Sequence, residues 1–299
     1  MNYFSRLGKR ITTKVERTMN YIKDILNLNP KDFSWKMRWR MRRDRNPLFV
    51  TVQDKYKVKE YAQKRGVRTA ELLYVTDKPE TIPFDSLPEN YFVKANHGCD
   101  WNILCKAGKL YLYKDGSVFI GHDTLTPHTI TRQECINKCR SWLRSIYSRN
   151  EWAYKRIPPR IIVEEVLIQH DGGELMDYRF YVFRGIVKAI SVGSPSYRLH
   201  HETVFFSPDW QEFKMKVYGE GIPDQLPQKP PNLAEMLSIA EKLGTELDFA
   251  RIDLFYTTRG VTLGEMSIYP LGGRLNTPAG DPEFDQWLGD QWMLPDENH

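Results

Sequence analysis

The stretch RIDLFYTTRGVTLGEMS, residues 251–267, has the pattern of a β-hairpin. In its first half, apolar and polar side chains alternate, as they do in a strand with one buried face. Residues 258–260 fit a three-residue hairpin loop with Gly260 in the left-handed conformation. Such a loop pairs Thr257 with Val261, and this pairing fixes the register of the two strands.

The predicted register places Asp253 opposite Glu265 and Arg251 opposite Ser267. Like charges directly across a strand pair are destabilising, so two opposed carboxylates need compensation. Mg²⁺ is one candidate, because it binds one or two carboxylates together with substrate phosphates. Two other interpretations stay open: the charges could point into water at a hairpin edge, or a one-residue shift of register could separate them.

Length and composition favour a globular protein with reduced thiols. The chain has 299 residues, of which 41% are hydrophobic, enough for one large or two modest domains. It has no run of 18 apolar residues and no apolar core of a secretory signal, so we expect a cytoplasmic protein. The four cysteines form no C-x-x-C pair, and we expect Cys135 and Cys139 to be buried rather than bound to metal.

Positive charge is concentrated near the N-terminus. Residues 1–46 carry 13 Lys and Arg against 4 Asp and Glu, whereas the remainder carries 30 against 34. The apolar residues of this segment recur at helical spacing; they are Phe4, Leu7, Ile11, Val15, Met19, Ile22 and Leu26. We expect this helix to pack on the protein or on another subunit, and the alternative is peripheral contact of residues 1–30 with the inner face of the membrane.

The run KMRWRMRRDR, residues 36–45, interleaves arginine with tryptophan and would suit nucleic acid. The rest of the chain has no recognisable nucleic-acid-binding fold, so we expect no nucleic-acid partner. The sequence gives no indication of the oligomeric state.

Hydrophobic periodicity and turn residues predict an α+β fold with two lobes of antiparallel sheet and helices. The predicted elements are a helix at 54–66 closed by Gly66, a strand–loop–strand at 90–105, a hairpin turning at Asp115 and Gly116, a helix at 132–148, a strand at 160–167, a hairpin at 177–193 turning at Arg184 and Gly185, and a helix beginning at Asn232 and ending at Gly244. For the helix at 132–148 the predicted inner face is Ile136, Cys139, Trp142, Leu143 and Ile146. In the last helix, Glu235 is expected to complete a capping box with Asn232. We divide the chain into a basic segment at 1–46, a first lobe at 47–158 and a second lobe at 159–299.

Two further motifs could serve a nucleotide. Lys94 lies in the apolar strand FVKANHG, where a buried lysine is costly unless it meets an anion. The loop that follows, with His97 and Gly98, offers backbone amides to phosphate oxygens. Glu164 and Glu165 interrupt the apolar strand IIVEEVL and could meet an adenine amino group. Each motif alone also has an ordinary explanation, as a surface lysine, a turn or a partly exposed strand.

The order of these motifs resembles the ATP-grasp superfamily. The phrases DKYKVKEYA, YFVKANHGCDWNI, DYRFYVFRG and FARIDLFY…GEMSIYP are similar to its TupA-like branch, which is associated with teichuronopeptide and other surface-polysaccharide biosynthesis. The resemblance covers roughly residues 45–292. It implies two lobes with ATP bound between them.

The resemblance also assigns roles to individual residues. It implies that Lys55 and Lys94 contact phosphates, that Glu164 and the backbone of Val166 and Leu167 meet adenine, and that Asp177 reaches the ribose. It implies Mg²⁺ on Asp253 and Glu265, with Ser267 where many relatives carry asparagine. The arginines Arg251, Arg179 and Arg274 are implied partners of phosphate or acyl-phosphate oxygens. Most relatives have a sizeable domain before the ATP core, where this chain has about 45 residues, so no acceptor site is carried over.

The resulting hypothesis is an ADP-forming ligase that joins a carboxylate, such as a sugar acid or an amino acid, to an amine through an acyl phosphate. Alternatives are a kinase with a hydroxyl acceptor and a non-catalytic nucleotide-binding scaffold of a polysaccharide assembly complex. A glycosyltransferase is a third alternative, although no separate D-x-D site is found.

Overall fold

The computed structural model describes residues 32–112, 128–173, 175–193, 204–213, 226–273 and 281–295. Within these ranges the helices are α1 Phe33–Arg43, α2 Leu48–Gln53, α3 Lys57–Gln63, α4 Arg132–Leu143, α5 Leu233–Gly244 and α6 Pro282–Gln291. The strands are β1 Arg68–Thr69, β2 Leu72–Thr76, β3 Tyr91–Ala95, β4 Asn102–Lys106, β5 Lys109–Leu112, β6 His128–Ile130, β7 Ile161–Glu165, β8 Asp177–Phe183, β9 Ile186–Gly193, β10 Val204–Phe206, β11 Ala250–Thr257 and β12 Gly260–Ser267. Short 3₁₀ helices are found at Pro79–Thr81, Tyr154–Arg156 and Pro270–Gly273.

The strands form two six-stranded sheets. The first sheet has the order β1-β12-β11-β8-β9-β10, and the second has the order β2-β7-β3-β4-β5-β6. Neighbouring strands are antiparallel, except that β1 runs parallel to β12. The predicted α+β class is confirmed. The hairpin of β8 and β9 turns at Arg184 and Gly185, as predicted, and both residues have positive φ.

Each sheet has its own hydrophobic core, and the two cores interleave along the chain. Helices α1, α2, α3, α5 and α6 contribute to the core of the first sheet, where Phe33 of α1 packs edge-on against Phe249 at 4.9 Å between ring centroids. Helix α4 contributes Cys135, Cys139 and Trp142 to the core of the second sheet. The predicted boundaries after residues 46 and 158 therefore do not separate the two cores.

Helix α1 draws part of the basic run into the interior. The guanidinium of Arg40 is buried 4.4 Å from the ring centroid of Trp292, and its Nη1 donates to the carbonyls of Phe249 and Ile268 at 2.9 and 3.1 Å. Lys36 is also buried and donates to the carbonyl of Trp292. These two contacts attach α1 to Trp292 at the end of α6. Part of the basic run at residues 36–45, which would suit nucleic acid, therefore has a structural role.

Two helix predictions need correction. Helix α4 ends at Leu143, so Ile146 lies beyond it and is 62% exposed. Cys135 is buried, as expected, but it was missing from the predicted inner face of the helix. The capping box of this helix, formed by Thr131 and Glu134, was also missed.

In α5 the predicted capping box is wrong. The side chain of Asn232 caps no backbone amide and instead donates to Glu235 Oε2 at 2.8 Å. Gly244 is the last residue of α5, and close packing requires glycine there, because a Cβ would lie 2.5 Å from Val182 Cγ1.

Within the described ranges, no helix combines the length and the apolar character needed to cross a membrane. The N-terminal apolar stripe, the Asp115–Gly116 turn and Arg274 lie outside the described residues.

Candidate functional site

The hairpin of β11 and β12 brings the two predicted carboxylates together. Arg251 pairs with Ser267, and Asp253 pairs with Glu265, as the sequence predicted. Asp253 and Ser267 are buried, and Glu265 is half-buried. The alternative of a one-residue shift in register is therefore excluded, and the polar face of the hairpin does not lie in open water.

The predicted three-residue turn is wrong, although the register at the site is right. Thr257 pairs with Gly260, which leaves two residues in the turn, and the register shifts by one residue just after Asp253. Gly264 is the extra residue of this bulge, and a Cβ there would lie 2.2 Å from the ring of Phe255. Because a bulge absorbs the residue assigned to the turn, the pairing of the carboxylates is unchanged.

Two aspartate–arginine pairs lie side by side on this face of the first sheet. Arg251 donates from Nε and Nη2 to the two oxygens of Asp253, at 2.8 and 2.6 Å. On β8, which pairs Arg179 with Asp253, the guanidinium of Arg179 contacts Asp177 Oδ2 at 2.8 Å from Nε and 2.7 Å from Nη2. The sheet thus holds both arginines in position by bidentate or forked contacts.

Lys55 connects this face to the loop of the second sheet. Its Nζ lies 3.4 Å from Glu265 Oε1, and its backbone N–H donates to the carbonyl of Asn96 at 3.1 Å. Burial alone would lower the pKa of Lys55, but the charges of Glu265 and Glu164 are among those that raise it above its usual value. The charge of Lys55 thus interacts with Glu265 of the first sheet and Glu164 of the second, so these two carboxylates border one site.

The electrostatics of the carboxylates fit a bound cation. Burial, with the charge of Asp177 adding to it, raises the pKa of Asp253 to about 6 despite the opposing charge of Arg251. For Glu265 burial acts in the same direction, but Lys55 and Arg251 outweigh it and lower the pKa. Burial, rather than the absence of a cation, thus raises the pKa of Asp253, since Arg251 contacts both of its oxygens. Mg²⁺ beside Asp253 and Glu265 would add positive charge that favours the ionised form of both carboxylates.

The donor set is also chemically suited to Mg²⁺. No group of three His, Cys, Asp or Glu side chains among the described residues forms a metal cluster. Two carboxylates are nevertheless sufficient, because Mg²⁺ commonly takes one or two from the protein and the rest from phosphates and water. Ser267 lies opposite Arg251 rather than opposite a carboxylate, so its predicted role as a ligand stays a prediction.

Lys94 and Glu164 form a second polar group, on the second sheet. Lys94 Nζ donates to Glu164 Oε1, and Lys59 Nζ lies 2.9 Å from Glu164 Oε2. Burial would raise the pKa of Glu164, but the two lysines lower it to about 2. Sequence reasoning missed Lys59, although its spacing of four residues from Lys55 in DKYKVKEYA was an available signal.

The conformation of the loop after Lys94 is stabilised by contacts of the loop's own side chains. The ring nitrogens of His97 lie 3.1 Å from Asn96 Oδ1 and 3.1 Å from the carbonyl of Trp142, and burial lowers the pKa of His97. A Cβ at Gly98 would lie 2.7 Å from the ring of Trp101, so only glycine allows this close packing. The structure places His97 inside the loop, where it supports the backbone amides, and its predicted contact with a nucleotide stays a prediction.

Glu165 lies at the junction of the two sheets. Its Oε1 accepts from the backbone N–H of Glu71 at 2.8 Å and from Arg259 Nη1. Val166 and Leu167 follow it, and among the described residues their backbone N–H and C=O groups have no hydrogen-bond partner. These groups can therefore meet the edge of a base, whereas Glu165 is occupied by contacts within the protein.

Together, the fold and this arrangement of lysines, arginines and opposed carboxylates define an ATP-grasp protein. The TupA-like ATPgrasp family matches residues 35–293. The chain belongs to the TupA-like ATP-grasp family. The family and the α+β ATP-grasp fold that the resemblance implied are both confirmed.

The chain is similar to several solved structures, among them the following three. A D-alanine–D-alanine ligase from Helicobacter pylori is 16% identical, with a TM-score of 0.42, over 81% of this chain and 61% of that chain. An N5-carboxyaminoimidazole synthetase from Staphylococcus aureus complexed with ADP is 11% identical, with a TM-score of 0.42, over 82% of this chain and 53% of that chain. A RiPP-associated ATP-grasp ligase from Chryseobacterium gregarium, in complex with ADP and a leader and core peptide, is 10% identical, with a TM-score of 0.39, over 83% of this chain and 61% of that chain.

The chain thus spans about half to three fifths of the length of these proteins. No curated protein matches it.

Proposed function

We propose that this protein is an ATP-dependent, ADP-forming carboxylate–amine ligase. The observation that carries the proposal is the direct pairing of Asp253 with Glu265, beside Lys55 and the arginine Arg251. In the proposed reaction, a substrate carboxylate oxygen attacks the γ-phosphorus of ATP, and the bond to ADP breaks. An amine then attacks the acyl carbon, phosphate leaves, and the amine proton passes to phosphate or solvent.

The carboxylates Asp253 and Glu265 would hold Mg²⁺, with Ser267 as a further candidate ligand. When bound, Mg²⁺ neutralises phosphate charge and orients the transferring phosphoryl group. The residues around it supply the remaining positive charge: Lys55 from one side and Arg251 and Arg179 from the sheet. Arg251 contacts both Asp253 oxygens, which holds its guanidinium beside the carboxylates that would bind the metal.

The nucleotide would lie between the two sheets. Lys94 would bind phosphate with the amides of the loop around Gly98, and the backbone of Val166 and Leu167 would bind the adenine edge. Glu164 would meet the adenine amino group while Lys59 holds it in place, and Asp177 would reach the ribose. Arg274 stays a candidate for an acyl-phosphate contact.

This chemistry requires no protein nucleophile. Positioning the two reactants and neutralising charge on the phosphoryl group supply most of the rate acceleration in such transfers. The five charged groups on the first sheet, together with Lys55, support this kind of catalysis, because they bring three carboxylates and three cations together.

We further propose a role in surface-polysaccharide or polysaccharide–amino acid conjugate biosynthesis, with a sugar acid or an amino acid as a small-molecule substrate. The family assignment supports this role. The proposed location is the cytoplasm, with peripheral contact at the inner membrane face through residues 1–30.

An ADP-release screen over sugar acids and amino acids, with mass analysis of the products, tests the proposal. We expect ADP and phosphate in equal amounts and a product whose mass is the sum of acid and amine less one water. A stable phosphorylated product that forms without any amine would contradict a ligase.

A further inference from the structure

Positive charge is concentrated in a second segment of the chain. Residues 131–160 carry eight Lys and Arg against two Asp and Glu. Apart from this segment and residues 1–46, the chain carries 22 basic residues against 32 acidic residues. Arg45, two residues after α1, lies against Trp152 of this second segment, so the described end of the first basic segment meets the second on one surface.

On this surface, exposed arginines are held against aromatic rings. The guanidinium carbons of Arg45 and Arg156 lie 5.7 and 5.9 Å from the ring centroid of Trp152, and that of Arg160 lies 5.8 Å from the ring centroid of Tyr56. We call these five residues the arginine track. Cation–π contacts of this kind fix the side chains of exposed arginines. The guanidinium of Arg45 also donates to backbone carbonyls at the end of α1, whereas no hydrogen bond within the described residues occupies the guanidinium groups of Arg156 and Arg160.

The track leads to the phosphate end of the proposed site. Tyr56 directly follows Lys55 in the chain. Arg160 exchanges hydrogen bonds with Asn96, from its N–H to Asn96 Oδ1 at 2.7 Å and from the N–H of Asn96 to its carbonyl at 3.0 Å. Asn96 also accepts from the backbone of Lys55. One end of the track is therefore fixed to the residues beside the opposed carboxylates.

The charges of the track are not compensated by the described part of the chain. Other exposed arginines lie close to a carboxylate, for example Arg132 to Asp85 at 2.7 Å and Arg140 to Glu80 at 3.3 Å. Among the described residues, no carboxylate lies within 4 Å of the guanidinium groups of Arg45, Arg156 or Arg160. Such a surface is complementary to an anion that the described part of the chain does not provide.

We propose that the arginine track binds an acidic oligosaccharide, a chain of sugar acids whose carboxylates engage successive arginines while one end enters the site. Arginine forks match carboxylates in a bidentate manner. A non-sequence-specific nucleic-acid surface instead needs aromatic faces on which bases can stack, and here guanidinium groups lie over the rings. The proposal rests on the proposed function, because it names the class of the carboxylate substrate.

The proposal requires a preference for oligomers over monomers. A single exposed ion pair contributes little, so one sugar acid gains almost nothing from the track. Several pairs on one chain act together, because the first contact raises the effective concentration of the next. Affinity should therefore rise with the number of linked sugar acids.

The test is fluorescence anisotropy with labelled oligogalacturonate of about ten sugars, without nucleotide. The test variants are the single variants Arg156→Gln and Arg160→Gln and the corresponding double variant. Each single change should weaken binding by about three- to fivefold, and the double change by about tenfold or more. Added salt should weaken wild-type binding more than that of the double variant. The lysine variant Arg156→Lys with Arg160→Lys should retain part of the affinity, since it keeps the charge.

The matched control is Arg184→Gln, an exposed arginine at the β8–β9 turn, at the far end of β8 from Asp177. It should bind like the wild type. Neutral maltodecaose, a single-stranded oligonucleotide and vesicles containing anionic phosphatidylglycerol are the competing ligands. Equal affinity of wild type and double variant for oligogalacturonate overturns the proposal, as does tighter binding of the oligonucleotide or the vesicles.

A second readout separates failure of this proposal from failure of the proposed function. If the track guides an oligomeric substrate, the double variant raises the KM for oligouronate in ADP release and leaves the KM for ATP unchanged. Specific oligouronate binding without any ADP release contradicts the ligase but not the track. ADP release with equal KM in wild type and double variant contradicts the track but not the ligase.

Discussion

At the scale of single residues, the site depends on how each buried charge is compensated. The sequence predicted the opposition of Asp253 and Glu265 from strand periodicity and a three-residue turn. The turn has two residues, and the bulge at Gly264 restores the predicted pairing. The sequence could not predict that Arg251 would donate hydrogen bonds to Asp253 or that Lys55 would contact Glu265. Those contacts depend on rotamers and on the approach of a distant segment.

Lys94 provides the sharpest test among the cations. Changing Lys94 to Ala removes one of the two lysines at Glu164, while Lys59 keeps the carboxylate compensated and the fold intact. We expect kcat/KM for ATP to fall about 100-fold, through a higher KM and a lower kcat, because a charge near the phosphates is lost.

Steady-state ADP release measures this effect, with Lys109→Ala as the control because Lys109 is an exposed lysine on the same sheet. An unchanged ATP dependence in Lys94→Ala would remove Lys94 from the site.

At the scale of elements, the bulge at Gly264 determines the shape of the hairpin. The change Gly264→Ala brings a Cβ to 2.2 Å from the ring of Phe255. We expect it to lower the free energy of unfolding by about 1 to 3 kcal/mol.

Chemical denaturation measures this loss, and the double variant Gly264→Ala with Phe255→Ala is the control. If the clash is the cause, the two losses are not additive, and the double variant loses less than their sum. Strict additivity would show that the ring does not require the glycine.

The junction of the sheets gives a prediction that distinguishes two roles for Glu165. If Glu165 acts by joining β7 to the hairpin tip through Arg259, then Glu165→Gln and Arg259→Gln weaken ATP binding similarly. Their effects are then not additive, with a coupling of about 0.5 to 1 kcal/mol, because the pair is partly exposed.

Calorimetric titration of ATP into the two single variants and the double variant provides this cycle. If Glu165 instead contacts adenine directly, Glu165→Gln alone weakens binding and Arg259→Gln leaves it unchanged. That outcome would support the contact between Glu165 and the adenine amino group that the strand IIVEEVL suggested.

At the scale of the whole molecule, the two ends of the described chain are joined through Asp285. Asp285 Oδ1 accepts from the N–H and Oγ of Ser34 at 3.1 and 3.2 Å, which docks α1 on α6. Burial, together with the nearby charge of Asp32, raises the pKa of Asp285 to about 7. The folded state therefore holds a proton that the unfolded state loses near pH 4.

The stability of the wild type should consequently depend on pH through this carboxyl. The contribution is fully present below about pH 4 and is lost as the pH rises toward 7, amounting to about 4 kcal/mol for a carboxyl whose pKa rises from 3.8 to about 7. Asp285→Asn keeps an acceptor for Ser34 without the titration, so its stability relative to wild type should increase from pH 4 to pH 7. Denaturant unfolding at several pH values measures the difference, and parallel curves for the two proteins would contradict it.

The extent of what the sequence could predict follows from the range of the interactions involved. The hairpins, α5 and the Asp253–Glu265 pairing depend on local periodicity and were predicted. The position of Gly264 in a bulge, the end of α4 and the burial of Arg40 depend on packing against distant segments, and local patterns carry little information about these. The same reason explains why Lys59 and Arg259 were missed, since each acts on a carboxylate about a hundred residues away.

The central claim is that Asp253 and Glu265 hold the Mg²⁺ that presents ATP. The most direct measurement is calorimetric titration of ATP with and without Mg²⁺ into wild type, Asp253→Asn, Glu265→Gln and the exposed control Asp290→Asn. We predict that Mg²⁺ strengthens ATP binding by the wild type and by Asp290→Asn, and that each site variant folds normally but loses this enhancement. An undiminished Mg²⁺ effect in both site variants would contradict the claim.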